Sequence, residues 1–123
     1  MPKSGGAGRR AQQSGERCPV RTAVAVLSGR WKPLIVYYLR FGTRRFSQLQ
    51  RSIPEASRQM LAQQLRQLEQ DSVVARTVYP SVPPKVEYAL TPLGRELEDV
   101  LDLLERWGER VLSEEERGGA VHR

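Results

Sequence analysis

Long amide and guanidinium side chains recur at helical spacing near the middle of the chain. Gln59, Gln63 and Arg66 share one side of a predicted helix, and Arg58 and Gln67 lie beside them. Such side chains can form two hydrogen bonds with one base edge, guanidinium with guanine and amide with adenine. The five residues are therefore candidates for reading bases, although a solvated helix face would have a similar composition.

Basic residues are concentrated in the first half of the chain. The protein has 123 residues and a net charge of +6. Residues 23–66 contain eight basic side chains and one acid, whereas residues 67–123 contain seven basic and twelve acidic side chains. A basic surface attracts polyanions such as DNA or RNA. On charge alone, a nucleic-acid partner and a merely solvated surface rich in arginine are both open.

The chain has one cysteine, Cys18, directly before a predicted helix. The helix dipole and the neighbouring Arg17 and Arg21 favour its thiolate form. A single thiol per chain responds only by bonding a partner, which is a second Cys18, a small thiol or an electrophile. A redox-sensing cysteine and an inert, half-buried one are both open, but an internal disulfide is excluded.

No group of residues predicts catalysis, a metal site or a cofactor. The only histidine, His122, lies in the tail, and no glycine-rich phosphate loop is present. Acids of the last helix are spread around it without a histidine and indicate a solvated face: Glu98, Asp99, Asp102, Glu105 and Glu109. Without a signal sequence or an apolar span of about 18 residues, we expect a cytoplasmic protein with no membrane contact.

Composition divides the chain into three parts. Residues 1–16 are rich in glycine, serine and glutamine and predict a flexible basic arm. Residues 17–117 predict one mainly helical domain, and residues 118–123 predict a frayed tail.

Four helices are predicted before residue 72. Pro19 and Pro33 mark the first turns of the first two helices. Ser47 and Gln50 form a capping box for the third helix, and Ser57 caps the fourth. The fourth helix has one apolar stripe, opposite its polar face, formed by Leu61, Leu65 and Leu68.

Beyond Ser72 the apolar period changes from helical to alternating. Two alternating runs, 74–79 and 85–90, predict an antiparallel hairpin whose connection, 80–84, contains three prolines. Thr91 and Pro92 then open a last helix over about residues 91–116.

The apolar face of the last helix is wider than one seam requires. Its heptad-spaced seam includes Leu97, Leu104, Trp107 and Val111, and Leu101 widens it. A single core-facing stripe is one explanation. Because so small a domain has little core to cover this face, we favour a homodimer interface formed by these five residues.

This order of elements is typical of a winged helix-turn-helix. The fourth helix would enter the major groove, and the hairpin would reach flanking phosphates or the minor groove. Candidate backbone and wing contacts are Lys32, Arg44, Arg45, Ser47, Ser57, Ser81 and Lys85. The alternative is a winged helix that binds RNA or an acidic protein. The polar face has no aromatic stacking platform, so duplex DNA is favoured.

Several motifs between Cys18 and Trp107 carry a family resemblance. They include Gly29-Arg30-Trp31-Lys32, the run from Met60 to Glu69, and Pro83-Pro84-Lys85-Val86-Glu87-Tyr88 followed by Leu90-Thr91 and Gly94. With these motifs the chain resembles the HxlR-type family of bacterial winged-helix transcription regulators, which are related to the MarR group.

The resemblance implies a homodimer built from the first and last helices, with Val20 at the interface. It also implies repression or activation of neighbouring genes, often under redox or electrophile control. We expect a pseudo-palindromic operator with half-sites about one helical turn apart. Gln59 stands where the family usually has a basic residue. Ser72 stands where glycine is common, so we expect the fourth helix to end differently.

Overall fold

The computed structural model describes residues 18–118. The predicted basic arm and residues 119–123 of the predicted tail lie outside the described residues. The elements, in chain order, are α1 (Pro19–Leu27), α2 (Lys32–Leu39), β1 (Arg44–Arg45), α3 (Phe46–Ser52), α4 (Arg58–Gln70), β2 (Val74–Tyr79), β3 (Lys85–Leu90), α5 (Pro92–Arg95) and α6 (Leu97–Glu116).

The prediction of a mainly helical fold with a small hairpin is confirmed. Strands β2 and β3 pair antiparallel from Val74 opposite Leu90 to Tyr79 opposite Lys85. The sheet has a third strand that was not predicted, β1, so its order is β1-β3-β2. A strand of two residues has no periodicity to detect, and its pairing with β3 over about 43 residues is decided by tertiary contact.

The core lies between α2, α3, α4 and the sheet. The predicted leucine stripe of α4 is confirmed, because Leu61, Leu65 and Leu68 are at most 1% exposed. Burial of each such side chain contributes about 1.5–3 kcal/mol. At the start of α4 the Ser57 hydroxyl accepts a hydrogen bond from Met60 N at 3.1 Å, as predicted for its cap. The stripe holds α4 against the domain and leaves its opposite face exposed.

A buried glutamine joins α4 to the turn between α1 and α2. Gln64 Oε1 accepts a hydrogen bond from the backbone N–H of Trp31 at 2.8 Å. A side chain at Gly29 would crowd this contact, because a Cβ there would lie 3.2 Å from Gln64 Oε1. Loss of the Gln64 acceptor would leave a buried donor unpaired. This contact was not predicted from the sequence, because Gln64 and Trp31 are 33 residues apart.

Two expectations about helix ends are wrong. Helix α3 begins at Phe46, where Gln48 Oε1 accepts a hydrogen bond from Arg45 N at 2.8 Å, so Ser47 and Gln50 do not form its capping box. The helix begins before Ser47 because the extended chain of β1 ends at Arg45. Helix α4 ends in a left-handed residue despite the serine, since Ser72 has φ 65°.

The end of α4 is held by hydrogen bonds that offset the strain at Ser72. Ser72 N donates to Glu69 O at 3.0 Å and Val73 N donates to Leu68 O at 2.9 Å, the paired bonds of a Schellman motif. The Thr91 hydroxyl also donates to Ser72 O at 2.6 Å. These bonds satisfy carbonyls at the helix end, so the chain follows the usual glycine geometry with a serine.

The predicted last helix is divided into α5 and α6. Thr91 caps α5 as predicted, because its hydroxyl oxygen accepts a hydrogen bond from Gly94 N at 2.9 Å. Helix α5 is docked on the segment between α4 and β2 through Thr91 N, which donates to Val73 O at 3.0 Å. The interruption at Glu96 is slight, since this residue keeps right-handed backbone angles.

Candidate nucleic-acid interface

Helix α4 presents the candidate base-reading residues on one side. Arg58, Gln59, Gln63 and Arg66 are exposed, and Gln67 is half-buried. The structure therefore brings the five residues together on the face opposite the buried leucines. Arg58 is additionally packed over the ring of Phe46, with 5.1 Å from its guanidinium carbon to the ring centroid, which links the first turns of α3 and α4.

The backbone candidates lie on three different elements. Arg44 and Arg45 form β1, and Ser47 is exposed in the first turn of α3. Ser57 uses its hydroxyl oxygen as the α4 cap, which leaves its O–H free to donate. These four residues surround the first turns of α3 and α4.

The two wing candidates are each engaged within the hairpin. The Ser81 hydroxyl donates to Pro83 O at 2.8 Å in the connection between the strands. Lys85 Nζ lies 3.5 Å from Glu87 Oε2 and 4.8 Å from the centre of the Tyr79 ring. The Lys85 charge is thus partly compensated, so a phosphate contact there would contribute less than an unpaired lysine.

Lys32 does not lie on this surface. Its residue is 2% exposed, so its ammonium group cannot reach a phosphate, and its assignment as a backbone contact is corrected. The side chain passes close to Gly29, where a Cβ would lie 3.2 Å from Lys32 Cδ. Burial of Lys32 follows from packing around the α1–α2 turn, which the local sequence does not encode.

Arg40 connects the domain to the long helix. Its guanidinium donates to Asp102 Oδ1 at 2.5 Å and lies 3.9 Å from Glu105 Oε1. The guanidinium also lies over the rings of Tyr37 and Phe41. The hydrogen bond to Asp102 raises the pKa of Arg40 above its ordinary value. This pair was not predicted from the sequence, because its partners are 62 residues apart.

Helices α1, α5 and α6 carry many apolar side chains that are exposed. Val20 is 70% exposed and Trp107 is 66% exposed. The other large exposed side chains of these helices are Val24, Leu93, Val100, Leu103, Leu104 and Leu112. We call these eight residues the apolar surface. Of the other predicted interface residues, Leu97 and Val111 are half-buried.

The assignment of Leu101 to the dimer interface is wrong. It is 6% exposed and belongs to the core of the domain. Helix α6 therefore uses one side to pack on the domain and leaves another uncovered. The heptad spacing alone could not separate the two sides, because both repeat at nearly the same period.

Cys18 occupies the N-cap of α1, as predicted. It is exposed. The backbone N–H groups of Arg21 and Val20 donate toward the sulfur and lower the pKa of the thiol below its ordinary value. The thiolate, which is the reactive form, is therefore favoured at the surface of the protein.

None of the helices between residues 18 and 118 combines the length and the hydropathy that spanning a bilayer requires. A metal site would need a cluster of at least three histidine, cysteine, aspartate or glutamate side chains. Residues 18–118 contain no such cluster.

The arrangement of α3 and α4 with the β2–β3 hairpin beside them defines a winged helix-turn-helix protein. The family model for the HxlR-like helix-turn-helix matches residues 26–116. The chain belongs to this family, as the resemblance of its motifs predicted.

Similarity to individual known proteins supports this family assignment. An HTH-type transcriptional regulator of Escherichia coli K12, YtfH, is 48% identical over 99 residues, which is 80% of this chain and 79% of the relative. A crystal structure assigned to an HTH-type regulator, YtcD, is 45% identical and superposes with a TM-score of 0.75, covering 78% of this chain and 98% of that one.

One structural relative is a redox regulator. The redox regulator HypR in its oxidized form is 44% identical, with a TM-score of 0.71, and the match covers 76% of this chain and 96% of that one. This chain is therefore similar to transcription regulators in general and to a redox regulator in particular.

Proposed function

We propose that this protein is a homodimeric transcription regulator that binds a pseudo-palindromic sequence in duplex DNA and has no enzymatic activity. The observation that carries the proposal is the exposed face of α4, with its glutamines and arginines, held outward by a fully buried leucine stripe. An α-helix fits the major groove, where these side-chain types distinguish bases. A regulator of chromosomal DNA would act in the cytoplasm.

Base reading and backbone binding have different experimental signatures. Gln63→Ala and Arg66→Ala are expected to reduce the preference for the operator over random duplex DNA, each by a factor of about 5–150, since a bidentate pair discriminates by about 1–3 kcal/mol. Arg44→Ala is expected to weaken all sequences alike and to lower the salt slope by about one unit. Lys85→Ala should do so less strongly, because Glu87 partly neutralises it.

Fluorescence anisotropy at several salt concentrations would measure these effects on an operator selected from the DNA upstream of the protein's own and adjacent genes. A uniform loss in all four variants would show that the base-reading face is misassigned. Competition by single-stranded DNA or RNA tests the alternative. If either competes better than random duplex, the protein is an RNA-binding or single-strand-binding module instead.

The homodimer is supported by the apolar surface of α1, α5 and α6. Eight large apolar side chains are exposed there, and exposed patches of this kind mark interaction sites. A cavity of about 290 Å³ also opens between α1 and the last two helices. A second copy of the chain would remove these side chains from water and place two α4 helices on one face of the DNA.

We also propose that Cys18 makes DNA binding responsive to oxidants. The proposal is supported by the exposed position of the thiol at the N-cap, its lowered pKa and the similarity of the chain to the redox regulator HypR. Oxidation would join the sulfur to a second Cys18 or to a small thiol, and the oxidant would take up two electrons and two protons. An electrophile would instead be attacked directly by the thiolate.

Cys18→Ser is expected to remove the effect of diamide on operator binding while leaving the affinity of the reduced protein unchanged. Because the pKa of Cys18 is lowered, its alkylation by iodoacetamide should persist to lower pH than that of free cysteine. Anisotropy before and after diamide, and again after dithiothreitol, measures the effect. If diamide changes binding equally in the wild type and the variant, Cys18 is not the sensor.

A further inference from the structure

A row of polar side chains crosses the sheet next to α4. Arg44 is opposite Tyr88, and Tyr88 is opposite Arg76, so the three side chains share one face of the sheet. On the same face, the pair Val74 and Leu90 is buried. The row therefore continues the core-facing side of the sheet beyond the edge of the core, and it lies alongside α4.

A notch of about 350 Å³ lies between this row and α4. Its lining residues are Ala62, Arg66 and Glu69 of α4 and Arg76 and Tyr88 of the hairpin. The notch is thus lined by two arginines from different elements, one tyrosine and one acid.

The donors of the notch have no hydrogen-bond or carboxylate partner in the part of the chain that the structure describes. Arg40, Lys85, Arg95 and Arg117 have carboxylate partners within 4.0 Å, but Arg66 and Arg76 have none among residues 18–118. The half-buried Tyr88 hydroxyl forms no hydrogen bond within the same residues. Donors that have no acceptor within the protein are available to an anion.

We propose that this notch binds one phosphate group of the DNA backbone in each half-site, with Arg76 and the Tyr88 hydroxyl as its donors. Arg66, which also lines the notch, adds positive charge beside them. A planar guanidinium matches two oxygens of a phosphate, which a lysine cannot do. A phosphate held at the junction of α4 and the wing sets how far α4 enters the major groove. This inference rests on the proposed function, because the phosphate belongs to the operator duplex.

The first test compares variants of the notch. Arg76→Gln and Tyr88→Phe are expected to weaken operator and random duplex alike, Arg76→Gln by about tenfold and Tyr88→Phe by less. Arg76→Gln should also lower the salt slope by about 0.9, the value for one phosphate. Arg76→Lys should keep the slope but lose affinity. Arg95→Gln is the matched control, because Arg95 is exposed on α5 and paired with Glu98, and it should change neither quantity.

The second test identifies the phosphate itself. Single phosphates of the operator are replaced by uncharged methylphosphonates, and binding is measured for the wild type and for Arg76→Gln. We expect one position in each half-site where the replacement weakens the wild type about tenfold and the variant hardly at all. Additive effects at every position, or unchanged affinity of Arg76→Gln, would overturn the phosphate site and leave the proposed function standing. If the wild type binds no duplex at all, both proposals fail.

Discussion

Replacing Gly94 with alanine is expected to lower the free energy of unfolding by about 3 kcal/mol, the upper end of the usual cost of overpacking. A Cβ at this buried position would overlap the carbonyl oxygen of Val73 and lie 3.3 Å from Leu90 Cδ2. Backbone atoms cannot move aside as a flexible side chain can. Val73 O already accepts a hydrogen bond from Thr91 N, so α5 would have to shift away from the end of α4.

Thermal unfolding at one fixed protein concentration measures this effect, since a dimer makes Tm depend on concentration. A decrease of more than about 10 °C is expected. The matched control is Gly108→Ala, because a Cβ at Gly108 meets nothing within 4 Å. Gly108 is inside α6, where alanine is more favourable than glycine by about 1 kcal/mol, so Tm should rise. Equal effects of the two substitutions would refute the assigned contact at Gly94.

Leu104→Glu is expected to convert the proposed dimer into a monomer at micromolar concentration and to weaken operator binding strongly. Leu104 is exposed on α6, within the apolar surface. Dimerisation would bury it, so the variant loses about 1.5–3 kcal/mol of apolar burial per subunit and must also desolvate a charge. Separated subunits each bind one half-site, which weakens the complex by a factor of about 100–10,000 because the two contacts are no longer linked.

Sedimentation velocity gives the oligomeric state, and circular dichroism shows whether the fold is retained. Ser113→Glu is the matched control, since it adds the same charge to the same helix at an exposed residue outside the apolar seam. This control is expected to remain dimeric and to bind the operator. If Leu104→Glu remains dimeric at micromolar concentration, the interface is formed by a different surface.

Local signals predicted the main elements of this fold correctly. Ser57 and Thr91 cap their helices as predicted, because a cap depends on residues only three positions apart. The leucine stripe of α4 and the paired strands of the hairpin were also predicted. In each case the periodicity of apolar residues directly reports which side of the element is buried.

Local signals failed where burial depends on residues distant in the chain. Lys32 belongs by composition with the basic surface, but packing beside Gly29 buries it. Leu101 belongs by spacing with the apolar seam, but the domain core covers it. The row of Arg44, Tyr88 and Arg76 exists only because β1 and β2 pair with the two edges of β3, a register that no local pattern specifies.

The sequence by itself determined the class of this protein: its helices, its hairpin, the composition of the exposed face of α4 and the motifs that place it in the HxlR-like family. Caps, turns and apolar periods act over a few residues, so they can be read from a linear chain. Only the tertiary structure decided which charged and apolar side chains remain available to a partner. Availability depends on burial and pairing between elements far apart in sequence, as in the contact of Arg40 with Asp102 and the notch between α4 and the wing.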